Sequence, residues 1–297
     1  MSDCIVRNLT GSTELYACIN IADPMVAWET AVGRFSSGVS KTPDGFGISL
    51  WTHKMLSGYG PRGPSKRVLR ELRLERVRQR TAPSSVARLD GLYLFQSETD
   101  ARRAIERWEW SADTHRLSSV HFWPSSTSIY DSEWITEDIL GDDESWMPRY
   151  WRGEARGADP ILEVLARGVG MIDNNDLRRE AYERMSRGNP LSSKLLAFSA
   201  AAFWYGCDTA GQVKPGVLIT KDGIASQYAI YMKDFETGSG LDMEAALRMC
   251  EADGAVFPYD GICDELSTIT VPDFRGCNVE ISNPVLRDVA LAIHGDR

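Results

Sequence analysis

Glu163 sits alone among apolar residues, in the run Ile161-Leu162-Glu163-Val164-Leu165. In an extended strand Ile161, Glu163 and Leu165 share one face, and that face is otherwise apolar. A carboxylate placed there costs free energy unless it is paired or put to use. The plainer alternative is a solvated residue on a half-exposed edge strand. A carboxylate held in place can stabilise positive charge that develops on a substrate. Two arginines stand upstream on either side of Ala82-Pro83, namely Arg78 and Arg88. A guanidinium pairs two oxygens of a phosphate at once, so either could hold an anionic ligand. Arg88 reads equally as a salt-bridged structural arginine. Tyr150 and Trp151 can stack on a planar ring, although core packing is their simpler role.

Several elements must position these groups. Leu15–Ile19 reads as a strand, Met25–Val32 as a short helix and Gly45–Trp51 as another strand. The spacing predicts a helix from about Ser65 to Arg80, with Val68, Leu69 and Leu72 as a narrow apolar stripe, ended by Pro83. Arg88–Phe95 is predicted as a strand and Glu98–Trp110 as an amphipathic helix with Ala101, Ala104, Ile105 and Trp108 on one face. Ser118–Trp123 is strand-like, and Pro124–Ser128 reads as a polar loop. Helical segments over Ser132–Leu140 and Asp143–Trp151 precede a strand over Pro160–Met171. Asp173-Asn174-Asn175 marks a turn-rich boundary. Beyond it come helices over Asp176–Arg187 and Leu191–Trp204, then a hairpin around Lys221-Asp222-Gly223, where Asp-Gly supplies a positive φ. A helix over Leu241–Cys250, strands over Thr268–Val271 and Cys277–Ile281, and a helix over Pro284–Ile293 complete the pattern.

At 297 residues the chain can bury a large core, and its net charge of −9 is unevenly spread. Through Ile172 there are 21 Lys and Arg against 23 Asp and Glu; beyond it the figures are 12 and 19. That balance argues against nucleic-acid wrapping by the acidic second part. The beginning of the chain lacks the basic and apolar regions of a signal peptide, and no apolar run reaches spanning length, so no membrane association is expected. Cys4, Cys18, Cys207, Cys250, Cys263 and Cys277 are scattered, which suits reduced thiols in a cytoplasmic protein.

Other patterns carry less. Gly58-x-Gly60-x-x-Gly63 matches the dinucleotide fingerprint in form, but Pro61 and Pro64 stiffen it and no βαβ alternation surrounds it. It reads as a loop. Arg62, Lys66, Arg67, Arg70, Arg73, Arg76, Arg78 and Arg80 form a basic run, read as a solvated helix or, more sharply, as a phosphate or nucleic-acid surface. The acidic cluster Asp138, Asp142, Asp143 and Glu144 lacks calcium-loop spacing and reads as solvated. The histidines (His53, His115, His121, His294) show no paired spacing, so no catalytic metal is expected. No G-x-S-x-G elbow is present.

Taken together, Leu74-Glu75-Arg76-Val77-Arg78, Ala87-Arg88-Leu89, Leu92-Tyr93-Leu94-Phe95, Asp131 with Trp134, Tyr150-Trp151-Arg152-Gly153 and Glu163 resemble the ADP-ribosyltransferase superfamily, in particular its poorly characterised bacterial and phage branches. The match covers roughly residues 70 to 172. Val86-Ala87 departs from it, standing where the family keeps Pro-Ser, and Ala87 lacks a hydroxyl that helps hold the nicotinamide ribose. The family's first-strand Arg or His has no clear counterpart among Arg7, Arg34 and His53. The resemblance implies an α+β fold, a split, mostly antiparallel sheet with flanking helices. Residues 1–172 would be the NAD-binding domain and residues 173–297 a smaller acidic α+β domain. It implies Glu163 as the catalytic carboxylate, Arg78, Arg88, Tyr150, Trp151 and Asp131 as NAD contacts, and NAD as substrate. The acceptor would be a protein or a nucleic acid, in the bacterial or host-cell cytoplasm, in a phage–bacterium conflict or as a toxin. Two alternatives stand beside it: an inactive relative that binds a partner protein, and a virion or assembly protein.

Overall fold

Capping side chains and alternating apolar residues set most of the elements in the computed structural model of the chain. The structure describes residues 11–38, 44–58, 66–204, 206–235 and 269–295. They form β1 (Thr13–Asn20), α1 (Pro24–Val32), β2 (Arg34–Ser36), β3 (Gly45–Gly47), α2 (Leu50–Ser57), α3 (Lys66–Thr81), β4 (Leu92–Leu94) and α4 (Glu98–Arg107). Next come β5 (His115–Asp131), α5 (Glu133–Asp138), α6 (Met147–Trp151), β6 (Leu162–Met171), α7 (Asn175–Gly188) and α8 (Ser193–Trp204). β7 (Val213–Ile219), β8 (Ile224–Ile230), β9 (Val279–Ile281) and α9 (Pro284–Gly295) follow.

The class is α+β, with two sheets whose strand pairs are all antiparallel. The first sheet has the order β1-β5-β6-β2, with β4 also pairing β6. A bridge between Tyr16 and Phe95 brings the end of β4 back to β1, so this sheet curls on itself. One face carries Ile19, Leu94, Phe122, Val164 and Ala166 into a shared core. The opposite face, with Glu163, Leu165 and Tyr130, meets Leu74 of α3 and Trp134, Tyr150 and Trp151 of α5 and α6. The second sheet has the order β3-β7-β8-β9 and packs with Val68 and Leu72 of α3 and with Leu286, Ala290 and Ile293 of α9.

The predicted boundary near Asp173 falls where β6 ends and α7 begins. Side chains from both sides of it share three of the cores. Trp28 of α1 packs with Ala181 of α7 and Phe198 of α8. Strand β3 pairs with β7, which joins the second sheet to the first part of the chain.

Five local readings change. Pro124–Ser128 is not a loop: β5 continues through it, shifting register between Pro124 and Ser126. Backbone pairing with the buried β6 holds this polar stretch in the sheet, and Pro124, lacking an N–H, marks the irregularity. Opposite it, Gly168 has φ 144°, and a Cβ there would come within 2.2 Å of the Trp123 carbonyl oxygen. Of the predicted Arg88–Phe95 strand, residues 92–94 pair with β6 and Phe95 bridges Tyr16, while residues 88–91 do not pair, because a turn from Ala87 to Gly91 precedes them. Residues 50–51 of the predicted Gly45–Trp51 strand begin α2 instead, capped by the Ser49 hydroxyl on the Thr52 N–H at 3.2 Å. The hairpin forms, but Gly223 is needed for space rather than for positive φ: a Cβ would lie 1.9 Å from the Ile281 carbonyl oxygen of β9. Residues 269–271 form no strand, and the predicted helix over Leu241–Cys250 lies outside the described residues, as does most of the Gly58–Pro64 loop.

Among the described residues, no helix is long and apolar enough to cross a membrane.

Candidate functional site

The buried stripe of α3 does not stay apolar. After Val68 it continues through Glu71, Leu72, Glu75 and Arg78 at helical spacing. These charges must find partners inside the protein, and they do so in two separate clusters.

The first cluster gathers around Arg88, in the turn before β4. Its Nη1 contacts Oε1 of Glu163 on β6 and donates to the Tyr150 hydroxyl at 3.0 Å, while Nε donates to Oε2 of Glu71 at 3.2 Å. The Tyr150 hydroxyl donates to the same Glu163 oxygen at 2.8 Å. Tyr93 holds the Arg88 carbonyl with its hydroxyl at 2.7 Å, and its ring centroid lies 4.9 Å from the guanidinium. Glu71, Arg88 and Glu163 are all buried. The other Glu71 oxygen has no hydrogen bond, and Arg67, one third exposed, approaches it at 3.9 Å.

Burial sets the electrostatics. It pushes the Glu163 carboxyl up from the ordinary range, Arg88 and the Tyr150 hydroxyl pull it down, and the neighbouring Glu71 pushes it up again. Burial works against the Arg88 charge, but Glu163 and Glu71 outweigh it and keep this guanidinium well above its usual value. Burial also raises the Tyr150 and Tyr93 hydroxyls well above 10, so both remain neutral donors.

Arg88 and Glu163 line a cavity of about 580 Å³. That volume lies inside the range of roughly 300–1,000 Å³ common for small-molecule sites. The cavity runs between the two sheets. Cys18 and Asn20 of β1 and Tyr93 of β4 line it from the first sheet, and Val213 and Lys214 of β7 from the second. Trp108, Trp110 and His115 border one part of it, with the Trp110 and His115 rings stacked at 4.9 Å; Trp51, Lys54 and Arg67 border another.

The remaining candidates lie elsewhere. Arg78 belongs to the second cluster: it forks onto Glu75 at 2.9 and 2.8 Å and donates to the carbonyls of Pro83 and Ser85 at 3.0 and 2.9 Å. Asp131 accepts from the backbone N–H groups of Glu133, Arg156 and Ile161, tying the end of β5 to the segment that enters β6. Trp151 donates to the Leu74 carbonyl at 2.9 Å within the core. None of the three borders the cavity. Among the residues weighed for the first-strand position, Arg34 lines the cavity but is fully buried, forked onto Glu29; His53 bonds Ser226 at 2.7 Å; Arg7 lies outside the described residues.

The long charge runs neutralise each other. Lys66 pairs with Asp142, and Arg70 and Arg73 both pair with Glu144, while Asp142 and Asp143 themselves stay exposed, as a solvated cluster would. Sequence reasoning gave no role to Glu71 or Trp51, and it named Arg67 only within the basic run and Tyr93 only within the resemblance. For Glu71 a signal existed: it falls on the stripe defined by Val68 and Leu72, where a solvated glutamate is out of place. Among the described residues, no group of His, Cys, Asp and Glu is arranged to hold a metal ion. No family model matches the chain, and no curated protein matches it either.

Proposed function

We propose that this chain transfers ADP-ribose from NAD to a macromolecular acceptor, with Glu163 as the catalytic carboxylate. One observation carries the reading: Glu163 is a buried carboxylate on an interior strand that borders, together with Arg88, a cavity large enough for a small molecule. Breaking the bond between nicotinamide and ribose sends the electron pair to the ring nitrogen and leaves positive charge on the ribose, as in glycoside hydrolysis. A fixed carboxylate beside the ribose lowers the energy of that state. Arg88 and Tyr150 hold one Glu163 oxygen, which fixes the group and favours its ionised form against burial. The acceptor nucleophile then bonds to the ribose carbon and gives up its proton.

The same contacts favour a second reading. Glu163 already has an arginine and a tyrosine as partners, and Ala87 offers no hydroxyl, which suits an inactive relative that binds a partner protein. The two readings separate on incubation with NAD labelled in its adenylate half and a bacterial lysate. The transferase predicts label on protein or nucleic acid, sorted by protease and nuclease digestion, and its loss in Glu163→Gln. No label from either protein favours the inactive relative.

A further inference from the structure

Two rings flanked by two arginines start at Arg88, the partner of Glu163. The Arg88 guanidinium lies 4.9 Å from the Tyr93 ring centroid, that ring lies 4.8 Å from Trp51, and the Arg67 guanidinium lies 5.8 Å from Trp51. All four side chains line the cavity, joined by Lys54, one turn beyond Trp51 on α2. The Arg67 and Lys54 side chains are 34% and 54% exposed. Arg67 approaches the buried Glu71 at 3.9 Å, and Lys54 the buried Asp23 at 3.5 Å. Trp51 is half-buried, yet among the described residues it joins none of the apolar clusters that form the cores. Core packing therefore does not explain it.

We propose that Trp51, Arg67 and Lys54 form a nucleotide subsite, with a base stacked at the Trp51–Tyr93 pair and its phosphate held by the two cations. Aromatic faces accept any base, and nearby cations make the phosphate the feature that selects a nucleotide over a nucleoside. The chain's net charge of −9 disfavours a polynucleotide and points to a free nucleotide. The choice of ligand rests on the reading of the cavity as an NAD site, in which this end takes the adenylate half.

Calorimetric titration of the full chain with AMP, adenosine and NAD tests it, using Trp51→Ala, Trp51→Phe and Arg67→Met beside the unaltered protein, each checked by thermal melting. AMP is expected to bind, and Trp51→Ala and Arg67→Met each to weaken it about tenfold or more. Trp51→Phe keeps most of the affinity, because it keeps a ring. Adenosine binds more weakly than AMP and is indifferent to Arg67→Met, a variant that serves alone if Trp51→Ala does not fold. Unchanged AMP affinity in folded variants overturns the subsite, as does failure of AMP to bind the unaltered protein at millimolar concentration. AMP binding that depends on these residues, without NAD binding or turnover, keeps the subsite and removes the transferase reading.

Discussion

Arg78 and Arg88 stand on either side of one turn, both buried and both paired with glutamate, yet they are built for different work. Arg78 takes its carboxylate from its own helix, three residues back, and gives its remaining donors to the carbonyls of the turn that follows. Every contact is local, and the result is a fastener at the end of α3. Arg88 divides itself between carboxylates on two elements, Glu71 of α3 and Glu163 of β6, and borders the cavity. That cluster exists only when distant parts of the chain are assembled, and one Glu71 oxygen in it lacks a hydrogen bond. A local fork satisfied on all sides reads as architecture. A guanidinium shared between elements beside a cavity reads as a site.

The contrast can be broken by substitution. Arg78→Met removes the fork that holds the buried Glu75, and stability is expected to fall by about 3–5 kcal/mol in urea denaturation. A loss no greater than that of an exposed pair would mean that the cluster fastens nothing. Tyr150→Phe removes one bond to Glu163 and one to Arg88, for a smaller loss of about 1 kcal/mol. In a double-mutant cycle with Glu163→Gln this loss should be markedly non-additive, whereas a cycle with Arg78→Met should add.

The third expectation concerns pH. Burial holds the Glu163 carboxyl above its unfolded value of about 4.5, so the folded state binds the proton more tightly. The unaltered protein should therefore lose stability relative to Glu163→Gln as pH rises from 4.5 through the folded value. A gain over that window would show the ion pair with Arg88 outweighing burial. The smallest effect is at Cys18 in the cavity wall, whose thiol burial pushes up to about 12. Alkylation at pH 8, followed by peptide mapping, should label Cys18 far more slowly than in the unfolded chain; equal rates would mean a wet cavity.

Much of the fold was legible because it is periodic or capped. The alternation of Leu15, Ala17 and Ile19 marks β1, Asp23 and Pro24 open α1, and Ser97 with Ala101 and Ala104 opens and orients α4. The polar half of β5 was not legible, because its place in the sheet comes from pairing with β6 and not from its own side chains. The site divides in the same way. Glu163 announced itself as a charge in an apolar strand. Its pairing with Arg88, across 75 positions of sequence, has no local sign, and neither does the approach of Trp51 to Tyr93.

The most direct measurement is release of nicotinamide from NAD by the purified protein and by Glu163→Gln, compared at equal folded fraction. The transferase reading predicts release by the unaltered protein and a fall on the order of 10²- to 10³-fold in the variant. Equal release by both, or none from the unaltered protein, would contradict it and leave Arg88 and Glu163 as a second fastener like Arg78 and Glu75.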